Sequence, residues 1–139
     1  MQGLGFGGHQ HVLAWKKAVE LACEAYRLAN QLPAYERNGL RQQIRRAAAS
    51  ISHNIAEGNA SASPAQYSRY LGIARASTNE LRSQIELCLA LQLLSLQTAA
   101  KALMLADEVS AMLWTMRKRI LDQHDAALYD RRVVRDSAH

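Results

Sequence analysis

Thirteen of the 17 basic side chains are arginines, and four of them, Arg37, Arg41, Arg45 and Arg46, fall in one stretch of ten residues. The first three recur every four residues, the spacing that stacks side chains into one ridge on a helix. A guanidinium is a planar fork suited to phosphate or carboxylate, so the ridge can follow the phosphates of a nucleic acid strand. Only Glu36 and Glu57 offset it in the same stretch. The same arginines also admit a structural reading: a solvated face, ion pairs to Glu80 and Glu86 on the next helix, or a pairing of Arg45 and Arg46 with Glu80 at a subunit junction. Asn54 and Glu57 end this segment. A carboxylate at a helix C-terminus opposes the macrodipole, so Glu57 calls for a partner, and both residues read as structural groups that tie down a loop.

Two arrangements could support other chemistry. Arg46 and His53 are separated by six residues, which sets them on one helical face. The pair resembles the Arg–His motif of HEPN ribonucleases, where His works in acid/base cleavage and Arg stabilises developing charge. No further catalytic group accompanies it, so a non-catalytic role is the leading reading. His9 and His11 form a His-x-His pair without the additional ligands a metal site needs, which leaves adventitious binding only. There is no Gly-rich phosphate loop and no Ser/His/Asp set, and no cofactor is expected. Trp15, Trp114 and the tyrosines fall mainly on helical stripes, as core or interface residues rather than as base-stacking platforms.

The elements that must position these residues are helical throughout. Val12, Trp15, Val19, Ala22, Tyr26 and Ala29 follow a 3,4,3,4,3 spacing, with Ala18, Leu21 and Leu28 widening the face. Pro33 ends this first helix near Leu32. A second helix is predicted from about Glu36 to Glu57, its apolar face formed by Leu40, Ile44, Ala47, Ala48, Ile51 and Ile55, with Gly58 as the C′ residue. Residues 58–63 read as a loop. Ser63, Pro64 and Gln66 then spell an N-cap, a first-position proline and a capping box. The third helix is predicted to about Leu94, burying Tyr67, Tyr70, Leu71, Ala74, Thr78, Leu81, Ile85, Cys88 and Leu89. The fourth is predicted from about Thr98 to His124, on Ala102, Ala106, Val109, Leu113, Met116 and Ile120, with Trp114 and Leu121 beside that stripe. Short links force antiparallel neighbours, so the expected fold is all-α: an up-down-up-down four-helix bundle. Residues 1–11 are expected to be a flexible leader, 12–124 the bundle and 125–139 a flexible tail.

The chain has 139 residues, enough for one domain with a real core. A net charge of +5 is compatible with nucleic acid, an acidic protein or an anionic surface as partner. Cys23 and Cys88 are read as two buried thiols in a reducing cytosol. No secretion signal or membrane span is read in the sequence, so a cytoplasmic protein without a membrane partner is expected.

One block carries a resemblance. Residues 39–51, GLRQQIRRAAASI, followed by Asn54-Ile55-Ala56-Glu57-Gly58, resemble the 23S rRNA intervening sequence proteins, also called the four-helix-bundle protein family. Trp15, Ala18, Tyr26, Leu32-Pro33 and Glu36 upstream, and Tyr70-Leu71, Ala74, Ser77, Glu80-Leu81 and Gln84 downstream, extend it over about residues 12–120. The resemblance implies a left-handed bundle that assembles into a homopentameric ring. Some members are encoded within insertions in ribosomal RNA genes, and a related branch serves as the accessory protein of diversity-generating retroelements, binding nucleic acid and a reverse transcriptase through a basic surface. Two positions depart from the family pattern. The stretch 59–63 lacks the basic residue often found there, which weakens nucleic acid binding at that loop, and Ala76 stands where Gly is frequent. The resulting expectation is a non-catalytic homo-oligomer, a pentamer, that binds RNA, DNA or a nucleic-acid-processing protein. Arg37, Arg41, Arg45 and Arg46 are the expected contacts, and Trp15, Tyr26, Asn54, Glu57 and Glu80 the oligomer or structural residues. A pure protein–protein scaffold is the alternative.

Overall fold

The computed structural model describes residues 8–138. Four helices follow one another: α1 Gly8–Gln31, α2 Leu40–Asn59, α3 Pro64–Ala90 and α4 Leu96–Ser137, with one 3-10 turn, Ala34–Glu36, between the first two. The described residues contain no strand. Each helix packs against its sequence neighbour, and α1 closes the bundle against α4. The core runs down the centre from all four helices, with Leu21, Ile44, Ile51, Leu71, Leu81, Leu105 and Leu113 all buried.

The helix boundaries have local causes. Pro33 cannot continue α1, and Glu36 then folds back so that its Oε2 accepts from Leu40 N–H at 3.0 Å, which serves the open start of α2. Ser63 Oγ accepts from Gln66 N–H at 3.2 Å, while Gln66 Oε1 accepts from Ala62 N–H at 3.1 Å. The expected capping box therefore forms, reaching one residue further back than the usual reciprocal bond. Helix α3 stops at Ala90, short of the expected Leu94. Leu93 N–H donates to Cys88 O at 2.8 Å, and Gln92 adopts a φ of +60°. That is a Schellman turn built on glutamine, and without the usual glycine the sequence hides it.

Three further expectations change. The apolar faces predicted for α2 and α4 are buried as read, but α1 is turned by one residue. Its buried line is His11, Ala14, Ala18, Leu21, Ala25 and Leu28, with Ala29 beside it; Ala18, Leu21, Leu28 and Ala29 are thus buried as read, whereas Val12, Trp15, Val19 and Ala22 are only half-buried and Tyr26 is exposed. Alanines at three inner positions let α1 sit close to its neighbours, while Val12, Trp15 and Val19 lie towards the outside. Cys88 is buried as expected, but Cys23 is exposed, on the outer side of α1. Gly58 is not a C′ residue: α2 continues through it to Asn59. A Cβ there would lie 2.7 Å from Tyr67 Cδ2, so glycine serves the close approach of α2 and α3.

The helices reach further than predicted at both ends. Helix α1 begins at Gly8, so His9 and His11 are helical, while the remaining part of the expected leader, residues 1–7, lies outside the described residues. Helix α4 runs to Ser137, well past His124. Residues 125–137 contain no glycine or proline and include Ala126, Ala127, Leu128 and three arginines, all strong helix formers.

Candidate functional site: the cationic face of α2

The arginine ridge of α2 divides into two kinds of residue. Arg41 donates from Nε to Ala29 O at 2.9 Å and from Nη2 to Asn30 O at 3.3 Å. These are carbonyls of the last turn of α1, where Ala29 O also accepts from Leu32 N–H at 3.2 Å, and a cation there suits the macrodipole. Arg45 donates from Nη2 to Asn30 Oδ1 at 2.5 Å and lies 5.9 Å from the centre of the Tyr26 ring. Two of the four arginines thus tie α2 to the end of α1. Arg37, just after the 3-10 turn, and Arg46, on α2, are exposed, and neither side chain has a hydrogen-bond or ion-pair partner among the described residues. They are the freely available cations of the set.

The expected acidic partners are occupied elsewhere within the subunit. Glu80 accepts from Gln84 Nε2 at 3.2 Å. Glu86 pairs with Arg82 at 3.0 Å, and Arg82 also reaches Asp107 at 2.7 Å. The pairing of Arg45 or Arg46 with Glu80 is therefore not made within one chain. Among the described residues, Asn54 makes no bond to the loop it was expected to tie down and instead joins two helices. Its Nδ2 donates to Ser50 O at 2.8 Å and to Ser50 Oγ at 3.0 Å, and Ser50 Oγ is 2.8 Å from Ser77 Oγ, a short polar bridge between α2 and α3. Glu57 is exposed and has no partner among the described residues, so the contact expected of it is absent there. Trp15 packs half-buried against the core, and Tyr26 stands outside it beneath Arg45.

His53 and Arg46 are both exposed on α2, and neither is held by a hydrogen bond to an orienting group among the described residues. The described residues contain no group of three or more His, Cys, Asp or Glu placed to hold a metal. His9 and His11 diverge because residues two apart on a helix point to different faces.

The sequence reading missed a buried polar pair. His11 is fully buried, with Nδ1 3.1 Å from the Tyr67 hydroxyl. Burial lowers the imidazole pKa from its usual value and pushes the Tyr67 phenol up to about 12. The signal was available: His11 continues, in helical spacing, the Ala14–Ala18–Leu21 line. On the outside, Lys17 bonds Glu108 at 2.9 Å across α1 and α4, and that bond raises the lysine pKa. No described helix is long and apolar enough to cross a membrane.

A search of curated proteins returned no match. A solved structure, a protein of unknown function from the S23 ribosomal protein family of Bacteroides thetaiotaomicron, superimposes with a TM-score of 0.73 at 23% identity. The similarity covers 78% of this chain and 98% of that one, and supports the fold. The family model of the 23S rRNA-intervening sequence protein matches residues 10–115, and the chain belongs to that family.

Proposed function

We propose that this protein is a non-catalytic, self-assembling helical bundle that presents cations to nucleic acid or to a nucleoprotein partner. The observation that carries the assembly is the double character of α1. Its inner line fills the core, yet a second apolar line, Val12, Trp15, Val19, Ala22 and Tyr26, is left half-buried or exposed at the same 3,4,3,4 spacing. A helix needs one such stripe to join its own bundle; a second favours another helix outside it. A closed ring of copies uses this face in every subunit, and five subunits are what the resemblance implies. Light scattering tests this: assembly gives a mass several times the 15.4 kDa of one chain.

The ligand reading is supported by Arg37 and Arg46, exposed and unpaired, and is multiplied by each copy in an assembly. Filter binding of RNA and DNA at rising salt tests it, since phosphate contacts weaken as salt rises. Arg41 and Arg45 favour the alternative, a pure scaffold, because they already serve the α1–α2 junction. Under that reading Arg37→Ala and Arg46→Ala leave any binding unchanged.

A further inference from the structure

The last turns of α4 extend past the family match, which ends at residue 115. From Leu121 to Ser137 every residue is exposed except the half-buried His124. A helix of this length with so little tertiary contact is marginal in water by itself. It is nevertheless apolar along one side. Ile120, Ala127 and Val134 repeat every seven residues, beside Leu121 and Leu128. The line continues the α4 core stripe outward from Leu113 and Ile120, both buried. At its base a groove of about 350 Å³ opens between this arm and Pro64 at the start of α3, lined by Ile120, His124, Leu128 and Arg131 among others.

The charges say what covers the arm. Residues 120–130 carry Asp122, Asp125 and Asp130 and no Lys or Arg, a formal charge of −3. Residues 131–137 carry Arg131, Arg132 and Arg135 against Asp136, a formal charge of +2. An arm is thus acidic in its first half and basic in its second. Laid parallel to a copy of itself it would match like with like. Laid antiparallel it matches opposites, twice, by two-fold symmetry.

We infer that the α4 arm pairs antiparallel with the arm of a second copy of this chain. In a register centred on Leu128, the Leu128 side chains meet. Asp125 of each copy faces Arg131 and Arg132 of the other, and Val134 comes over the groove at the other's base. Both apolar contact and charge order fix the direction, as flanking charges do in paired helices. The pairing does not depend on the outer stripe of α1. If α1 also assembles subunits into a five-membered ring, an odd ring cannot satisfy two-fold pairs within itself, so the arms join two rings.

The full chain is measured by light scattering beside Leu128→Glu, with circular dichroism to confirm that the bundle remains folded. Leu128 is already 40% exposed in one chain, so the substitution spares the core. The expected result is a halved mass for the variant, whether the parent is a dimer or a pair of rings. Direction is read by cross-linking in a Cys23→Ser background. A mixture of chains carrying Leu121→Cys and Arg135→Cys forms the mixed disulfide in an antiparallel pair, whereas a parallel pair links Leu121→Cys chains to each other. An unchanged mass in Leu128→Glu, which would leave the arm to some other partner, or the parallel cross-link pattern, overturns the inference. Loss of the α1 assembly is read separately, from Val19→Glu.

Discussion

Arg41 donates to the carbonyl of Ala29 across the junction of α2 with the end of α1, at 2.9 Å. This one bond decides how the arginine ridge is to be used. A guanidinium that satisfies helix-terminal carbonyls is part of the scaffold, and only its outer edge remains for a ligand. Arg46, five residues on, carries no such duty.

The two arginines should therefore respond unequally to removal. Arg41→Ala should lower stability by about 1–2 kcal/mol, the usual cost of a lost charge-assisted hydrogen bond that is partly exposed. Arg46→Ala should stay within about 0.5 kcal/mol of the parent, as surface changes do. Urea denaturation of both variants checks this, and equal losses would contradict it.

Gly58 should not tolerate a side chain. Alanine is the better helix former by about 1 kcal/mol, but its Cβ would lie 2.7 Å from the Tyr67 ring, with Tyr70 Cβ also near at 3.2 Å. Overpacking of this kind costs about 1–3 kcal/mol. Gly58→Ala should therefore lower the thermal midpoint; a raised midpoint would show that the α2–α3 contact has room to give.

His11 should make the fold sensitive to mild acid. Its folded pKa is lowered by burial, so in the window between that value and the ordinary 6.5 the unfolded chain binds more protons than the folded one. Stability falls as pH drops below about 6.5 and levels off below the folded value. His11→Phe removes this slope together with the His11–Tyr67 contact, at a cost of about 0.5–1.5 kcal/mol. Chemical denaturation across this range checks both effects, and an equal slope in parent and variant would contradict the assignment.

Much of the bundle was legible in the sequence because its signals are local. The Ser63-Pro64-Gln66 start and the Leu113–Met116–Ile120 line were correctly placed from spacing and capping chemistry alone. The failures have different causes. In α1 two apolar stripes adjoin, and composition cannot say which one faces inward; the alanines went in because helices approach closely there. Gln92 took a left-handed conformation that the sequence would assign to glycine. For the arginine ridge, spacing showed that three side chains share a line, but not that the end of α1 would come to meet Arg41 and Arg45.

Assembly through the outer line of α1 underlies the proposed function. The most direct measurement is sedimentation velocity of the full chain beside Val19→Glu, which places a charge at the middle of that half-buried line, and Lys16→Glu, which places the same charge on the exposed side of the helix. The account predicts a multi-subunit species for the parent and for Lys16→Glu, and a clear loss of mass with retained helix content for Val19→Glu. A parent and a Val19→Glu variant of the same mass would contradict it.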